Sequence, residues 1–195
     1  MRPLTVQDVA PADEYERIRS DFRQRVIAFK KHRRISVGDF VTLVFENRET
    51  ILFQIQEMVR AERILAPERL QEEVDTYNEQ IPGAGELSAT FFIEVTDSTK
   101  VKPFLDLFQG IDRGQAVAIR VGSHVVDGVF EQGRSKDDKI SAVQYVRFTV
   151  PDTVRVAMQD YGIPMELLVD HPRYQARATV PDAMRASLLE DLEVA

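Results

Sequence analysis

The side chains that could form a polar site are concentrated in one stretch of the chain, residues 45–64, which reads FENRETILFQIQEMVRAERI. Its apolar spacing predicts a helix from Ile51 to about Leu65, for which Thr50 can serve as the N-cap. At about 100° per residue, the apolar side chains fall on two opposite sides of this helix. A helix with that pattern is expected to pack between two other elements, where its polar residues need partners.

Glu62 is the unusual residue of this helix, because it falls between Ile51 and Ile55 in the larger apolar sector. A carboxylate in such a position costs several kcal/mol unless it is paired and hydrogen-bonded. We therefore expect Glu62 to be buried against an arginine, whose planar guanidinium suits a buried carboxylate. The candidate partners from neighbouring elements are Arg48, Arg120 and Arg147.

Polar residues of this helix and of a later strand pattern could together line a site at a helix–sheet junction. One interpretation is a binding or catalytic site for a small molecule or a metal. The other, which the pattern favours, is a structural ion-pair network that fixes the helix on the sheet. Glu57 and Glu62 lie about 140° apart around the helix, so one metal ion would need ligands from another element as well. The residues of this candidate site are Gln54, Glu57, Arg60, Glu62, Gln144, Tyr145 and Arg147.

His171 has Asp170 and Tyr174 close to it in sequence, in the segment VDHPRY. An Asp–His pair can fix the tautomer of an imidazole for acid–base chemistry, which makes His171 a candidate site residue. The segment is also typical of a tight turn, and adjacent residues of a strand point to opposite faces. The sequence favours the turn.

Signatures of established chemistries are missing from the sequence. It contains no GxGxxG, no Walker lysine pattern, no HExxH and no GxSxG, and no histidine follows a glutamate by three residues. The absence of cysteine excludes thiol nucleophiles, disulfides and thiolate ligation of zinc or iron–sulfur clusters by this chain. We therefore predict neither a cofactor nor a metal site.

The net charge of −7 is unevenly distributed. Residues 1–34 hold nine Lys and Arg against five Asp and Glu, whereas the rest of the chain is strongly acidic. The basic segment, which includes the cluster KKHRR at 30–34, could bind nucleic acid or an acidic partner; a solvated helix end or a fold back onto the acidic body is favoured. The acidic balance makes nucleic acid an unlikely partner. With no signal peptide and no apolar run of membrane-spanning length, we expect a cytoplasmic protein.

The remaining patterns predict an α+β fold with a mostly antiparallel sheet built from hairpins and helices packed on it. Residues 1–82 are helix-rich and residues 86–195 are strand-rich, and we expect one domain over 1–195. A boundary near Pro82–Gly85 is the alternative. The clearest hairpin signal is Gly122-Ser123 between two apolar strands, because a type II′ turn requires glycine in its first central position.

Several segments together resemble one family. FENRETILFQIQEMVRAERI, ELSATFFIE, ISAVQYVRF and VDHPRY, with RPLT and EYERIR near the start, are similar to the bacterial domain of unknown function 3501 family. The resemblance covers nearly the whole chain and implies no catalytic residues. It implies a gene setting near redox proteins, namely rubrerythrin-like diiron proteins and iron–sulfur oxidoreductases.

Two functions are therefore expected from the sequence. The first is a non-enzymatic accessory or interaction protein of an oxidative-stress or electron-transfer system, which would contribute a protein-binding surface. The second is a protein with a small-molecule or metal site at the helix–sheet junction. The sequence does not indicate an oligomeric state.

Overall fold

The computed structural model describes residues 1–95, 101–131, 133 and 140–193. Within these ranges the fold is α+β, and six of the eight described strands lie between residues 86 and 179, in the part expected to be strand-rich. The strands are β1 (Arg34–Val37), β2 (Val41–Glu46), β3 (Glu86–Ile93), β4 (Val117–Val121), β5 (His124–Phe130), β6 (Val143–Thr149), β7 (Met165–His171) and β8 (Tyr174–Thr179). The helices are α1 (Ala12–Lys31), α2 (Arg48–Glu62), α3 (Pro67–Asn78), α4 (Val101–Leu107), α5 (Asp152–Ala157) and α6 (Asp182–Glu193).

All eight strands form one antiparallel sheet in the order β1-β2-β3-β6-β5-β4-β7-β8. Two sequence-local hairpins, β4–β5 and β7–β8, lie where the sequence predicts them. In the first of these, Gly122 has a φ of +57°, which fits the predicted glycine-first turn. The antiparallel sheet built from hairpins is thus confirmed.

The sheet curls until its two outer strands meet, so that it is nearly a closed barrel, a shape that the sequence did not indicate. Tyr174 on β8 bridges the seam: its hydroxyl donates to the carbonyl of Val37 at 2.6 Å and accepts from the amide of Phe40 at 3.3 Å. Gly38 leaves room for this contact. Its φ is +72°, and a Cβ there would collide with the Tyr174 hydroxyl and lie 2.8 Å from the Cβ of Ala176.

The interior of the barrel is apolar, and α6 packs into the same core. Its Met184, Leu188 and Leu192 join the apolar residues that the strands turn inwards. Arg185, which is also buried, donates to the carbonyls of Ala157, Met158, Asp160 and Ile163 and so binds α6 to the end of α5. The C-terminal helix is therefore part of the barrel core rather than an appendage.

Helices α1 to α3 form two further apolar clusters outside the barrel, and α2 takes part in both. One side of α2 packs with α3 and the N-terminal segment, where Ile51 and Ile55 meet Val74. The opposite side packs on α1, where Phe53 lies 5.6 Å from the ring of Phe22. The prediction that α2 is apolar on two sides and packed between other elements is confirmed.

Helix α2 begins and ends differently from the prediction. Asn47 rather than Thr50 is the N-cap, and its side chain accepts from the amides of Glu49 and Thr50 at 3.0 and 3.1 Å. The helix ends at Glu62 with a Schellman motif, in which the amide of Ile64 donates to the carbonyl of Val59 at 3.0 Å.

Arg33 connects the helical layer to the barrel, although the sequence placed it in a solvated helix end. The chain leaves α1 after Lys31 and enters β1, a strand that the sequence reading missed, and Arg33 is fully buried at that point. Its guanidinium forms an ion pair with Asp191 of α6 and donates to the carbonyl of Phe45 at 2.9 Å. Asp191 also accepts from the side chain of Asn47 at 3.0 Å.

The sequence also predicts a helix cap at Asp97-Ser98 and a charged loop over 132–139; the cap and most of the loop lie outside the described residues. In the parts of the chain that the structure describes, none of the helices combines the length and the apolar character that crossing a membrane would require.

Candidate functional site

A polar band crosses the outer face of the sheet where α3 ends above it. The strand registers place Glu46 of β2 opposite Ser88 of β3, and Ser88 opposite Arg147 of β6. In the same way Thr90 of β3 lies opposite Tyr145 of β6. Since cross-strand partners point to the same face, these five side chains share one surface.

The end of α3 and strand β5 turn part of this band into a groove with a volume of about 200 Å³. Ser88, Tyr145 and Arg147 line it from the sheet. The residues that follow α3 line one side, and the end of β5 lines the other, with contributions from Glu79, Gln80, Val129, Phe130 and Glu131. We call this the junction groove. Of the predicted site residues, it brings together Tyr145 and Arg147.

Arg147 positions the wall of the junction groove. It donates to Glu86 at 2.7 Å, to the carbonyl of Ile81 at 3.2 Å and to the carbonyl of Glu79 at 2.6 Å. Carbonyls at the end of a helix lack intrahelical partners, and the negative end of the helix dipole favours a cation; Arg147 satisfies the carbonyl of Glu79, the C-cap of α3. Arg147 therefore holds the end of α3 against the sheet.

Gln80 is the least satisfied residue of the junction groove. It is buried, and its Oε1 atom has no hydrogen-bond partner among the described residues. A buried acceptor without a partner costs roughly 1–3 kcal/mol. A hydrogen-bond donor of a bound molecule is one way to recover that free energy.

Glu46 is a buried carboxylate of the same band that sequence reasoning missed. Thr90 donates to it at 3.1 Å, and the ammonium of Lys30 lies 3.1 Å from Oε2. Apolar residues lie on both faces of β2, so the sequence pattern does not indicate a buried carboxylate at the last position of the strand. The sequence signal for the Lys30–Glu46 pair is the basic end of α1, four residues before β1. Lys30 lies in this end of the helix and folds back onto the acidic end of β2.

Gln144 lies on the opposite face of β6 from Tyr145, as alternation along a strand requires. It is fully buried next to Phe91 of β3, and its Nε2 donates to the carbonyl of Ser141 at 3.1 Å. It therefore lies on the barrel side of the sheet and not in the junction groove.

Glu57 and Arg60 connect α2 to α1 rather than to the sheet. Glu57 accepts from the hydroxyl of Tyr15 at 2.7 Å and from Arg19 at 2.7 and 2.8 Å, and Arg60 pairs with Glu16 at 2.5 Å. The hydrogen bonds from Arg19 lower the pKa of Glu57 to about 2, and those from Tyr15 act in the same direction against the effect of burial. The two residues thus form an ion-pair network between helices.

The prediction that Glu62 is buried is wrong. Its side chain is 47% exposed, and its partner is Arg69 at 3.5 Å. The three expected arginines pair elsewhere: Arg48 with Asp8, Arg120 with Glu166 and Arg147 with Glu86. The reason is that α2 ends at Glu62 and the chain turns away before α3 begins, so the apolar sector is covered only as far as Val59.

Gln54 and His171 lie apart from each other and from the groove-lining residues. Gln54 is half-buried on α2. His171 is buried at the end of β7, where its ring stacks on Phe108 at 6.4 Å and its Nδ1 accepts from the amide of Arg173 at 3.4 Å. Since Nδ1 accepts, Nε2 carries the proton and donates to the carbonyl of Gln109 at 3.2 Å.

Asp170 does not pair with His171; it accepts from Gln175 across the hairpin at 2.7 Å. The favoured interpretation of this segment as a turn is confirmed. The ligand-binding role of the predicted site residues stays a prediction. Among the described residues, there is no group of three or more His, Cys, Asp and Glu side chains arranged to hold a metal ion.

Comparisons with known proteins agree with this fold and identify the family to which the chain belongs. The model of the family described as Protein of unknown function (DUF3501) matches residues 3–192, and the chain belongs to that family. Its fold is similar to the crystal structure of a novel protein of unknown function from Burkholderia pseudomallei K96243. That protein is 31% identical, with a TM-score of 0.89 over 98% of this chain and 100% of the other. The curated proteins contain no match.

Glu57→Gln tests the network between α1 and α2. We expect the free energy of unfolding to fall by about 1–2 kcal/mol at neutral pH, a value reduced for the partial exposure of the pair. The folded pKa of about 2 lies below the ordinary value of 4.5, so the carboxylate stabilises fully above about pH 4.5 and loses its effect as the pH falls towards 2. The wild-type protein should therefore lose stability relative to the variant in that window, measured by urea denaturation.

Glu62→Gln is the matched control on the same helix, and we expect its stability to stay within about 0.5 kcal/mol of the wild type. Equal stability of wild type and Glu57→Gln across the whole pH series would contradict the role assigned to Glu57.

Proposed function

We propose that the protein is an accessory protein that binds a redox partner through the outer face of the barrel around the junction groove. The observation that supports this most is on β5. Val125 and Val129 point outwards and are 55% and 68% exposed, whereas Val126 and Phe130 point into the core. The solvent face of an antiparallel strand is ordinarily polar, so two exposed valines on one strand favour a surface that a partner covers.

The junction groove supplies the polar part of the same surface. Val129 forms its edge, and Tyr145, Ser88 and Gln80 lie beside it. Protein interfaces commonly combine an apolar centre with a rim that forms hydrogen bonds, and tyrosine is enriched in them. An amide or hydroxyl of a partner that donates to Gln80 would also satisfy its unpartnered oxygen.

The class of partner follows from what the chain lacks and from what its family resemblance implies. With no cysteine, the chain has no thiolates of its own for an iron–sulfur cluster, so it would contribute surface rather than electrons. The gene setting implied by the resemblance contains rubrerythrin-like diiron proteins and iron–sulfur oxidoreductases. We propose one of these as the partner, in the cytoplasm and in a response to oxidative stress.

Gentle affinity purification of the tagged full-length chain from its native host tests this proposal. We expect mass spectrometry to identify a rubrerythrin-like protein or an iron–sulfur oxidoreductase in the eluate. Val129→Asp should reduce its recovery by about tenfold, because the new carboxylate would be buried at the interface. Val156→Asp is the matched control, since Val156 is 58% exposed on α5, and it should leave recovery unchanged.

Recovery of the chain alone would count against an accessory role. Recovery of the partner at equal yield with Val129→Asp would show that the interface does not include this part of β5.

A second candidate is a small-molecule site in the junction groove itself. The specific observation in its favour is the buried, unpartnered oxygen of Gln80 beside a volume of about 200 Å³. Native mass spectrometry and elemental analysis of the protein purified from its host test it. A retained small molecule that is lost on Gln80→Leu would support this candidate, and a bare chain with no bound metal would exclude it.

A further inference from the structure

Arg63 has a backbone conformation that an arginine rarely adopts. Its φ is +53°, and it is the only residue other than glycine with a positive φ in the described part of the chain. The residue at this place in a Schellman motif is usually glycine, which has no Cβ to strain. The Arg63 side chain is exposed and forms neither an ion pair nor a hydrogen bond with the described residues. A cation suits the negative end of the α2 dipole, but no described contact uses the guanidinium itself.

Leu65, two residues further on, is 83% exposed, more than any other large apolar residue among those described. Ile64 between them is buried and anchors the turn through its amide and its contact with the second apolar cluster. The turn thus directs a cation and an apolar side chain outwards on either side of the buried Ile64.

A groove of about 530 Å³ lies beside this turn, between the end of α2 and the start of α1. Val59, Ala61 and Ala12 contribute apolar surface to it. Two arginines line this groove. Arg60 forms an ion pair with Glu16, whereas Arg63 is not paired within the described structure. One guanidinium is thus available at the edge of a partly apolar groove.

From these observations we infer that the turn Arg63–Leu65 and its groove form a docking site for an acidic segment of another protein. Arg63 would bind a carboxylate of that segment through two parallel hydrogen bonds. An apolar side chain of the segment would pack between Leu65 and the groove. Charge complementarity at the groove itself selects this partner: Glu16, Arg60 and Arg63 are its charged lining residues, and the Arg60–Glu16 pair leaves the cation of Arg63 uncompensated. The site rests on residues other than those of the proposed function.

Titration of the ¹⁵N-labelled full-length chain with a synthetic amphipathic peptide tests the inference. The peptide carries leucine on one helical face and glutamate on the other, and a second peptide carries lysine in place of each glutamate. We expect saturable chemical-shift changes at Ala12 and residues 60–65 with the acidic peptide only. No saturable change, or equal binding of the lysine peptide, would overturn the inference.

Arg63→Gly separates binding from folding. Because glycine adopts this conformation without strain, the melting temperature should stay the same or rise, while affinity for the acidic peptide should fall about tenfold. Leu65→Ser should weaken binding similarly, and Arg17→Ala, which removes another exposed arginine, should not. Unchanged affinity of Arg63→Gly for the acidic peptide would show that the arginine is not retained for binding.

Discussion

The arrangement of the other elements depends on the contacts that the buried guanidinium of Arg33 makes. It lies where α1 passes into β1, and it contacts the end of β2 through the carbonyl of Phe45 and α6 through Ser187 and Asp191. Asp191 in turn accepts from Asn47, the N-cap of α2. Burial raises the pKa of Asp191, and the charge of Arg33 opposes that effect. A pair of this kind adds little net stability, but it leaves a costly unpaired charge in any arrangement that separates its members.

The candidate surfaces follow from this constraint. With the start of α2 fixed at Asn47, the two apolar sides of α2 determine where α1 and α3 pack. The end of α3 then reaches the outer face of the sheet, where Arg147 binds the carbonyls of Glu79 and Ile81 just after the helix and the junction groove forms. The other end of α2 is fixed by the Schellman motif, which places Arg63 and Leu65 at the surface.

Local patterns predicted the local features of this fold. The hairpin at Gly122-Ser123 and the two-sided packing of α2 depend on the spacing of nearby residues, and both are confirmed. Barrel closure depends on Tyr174 meeting Val37 across 137 residues of chain, which no periodicity reveals. Arg33 looks like one more cation of a basic helix end, and only its contact with a residue 158 positions away explains its burial.

The same limit applies to the candidate site. Tyr145 and Arg147 lie together because they share one strand face, and the same local rule puts Gln144, which the prediction grouped with them, on the opposite face. Glu62 was misplaced because a helical angle gives the direction of a side chain but not the point at which the covering element ends.

The measurement that tests the role of Arg33 most directly is a double-mutant cycle of Arg33→Met and Asp191→Leu, followed by urea denaturation. We expect each single variant to lose about 3–5 kcal/mol and the double variant to lose far less than their sum. Additive losses would show that the pair is not the constraint that joins the two layers.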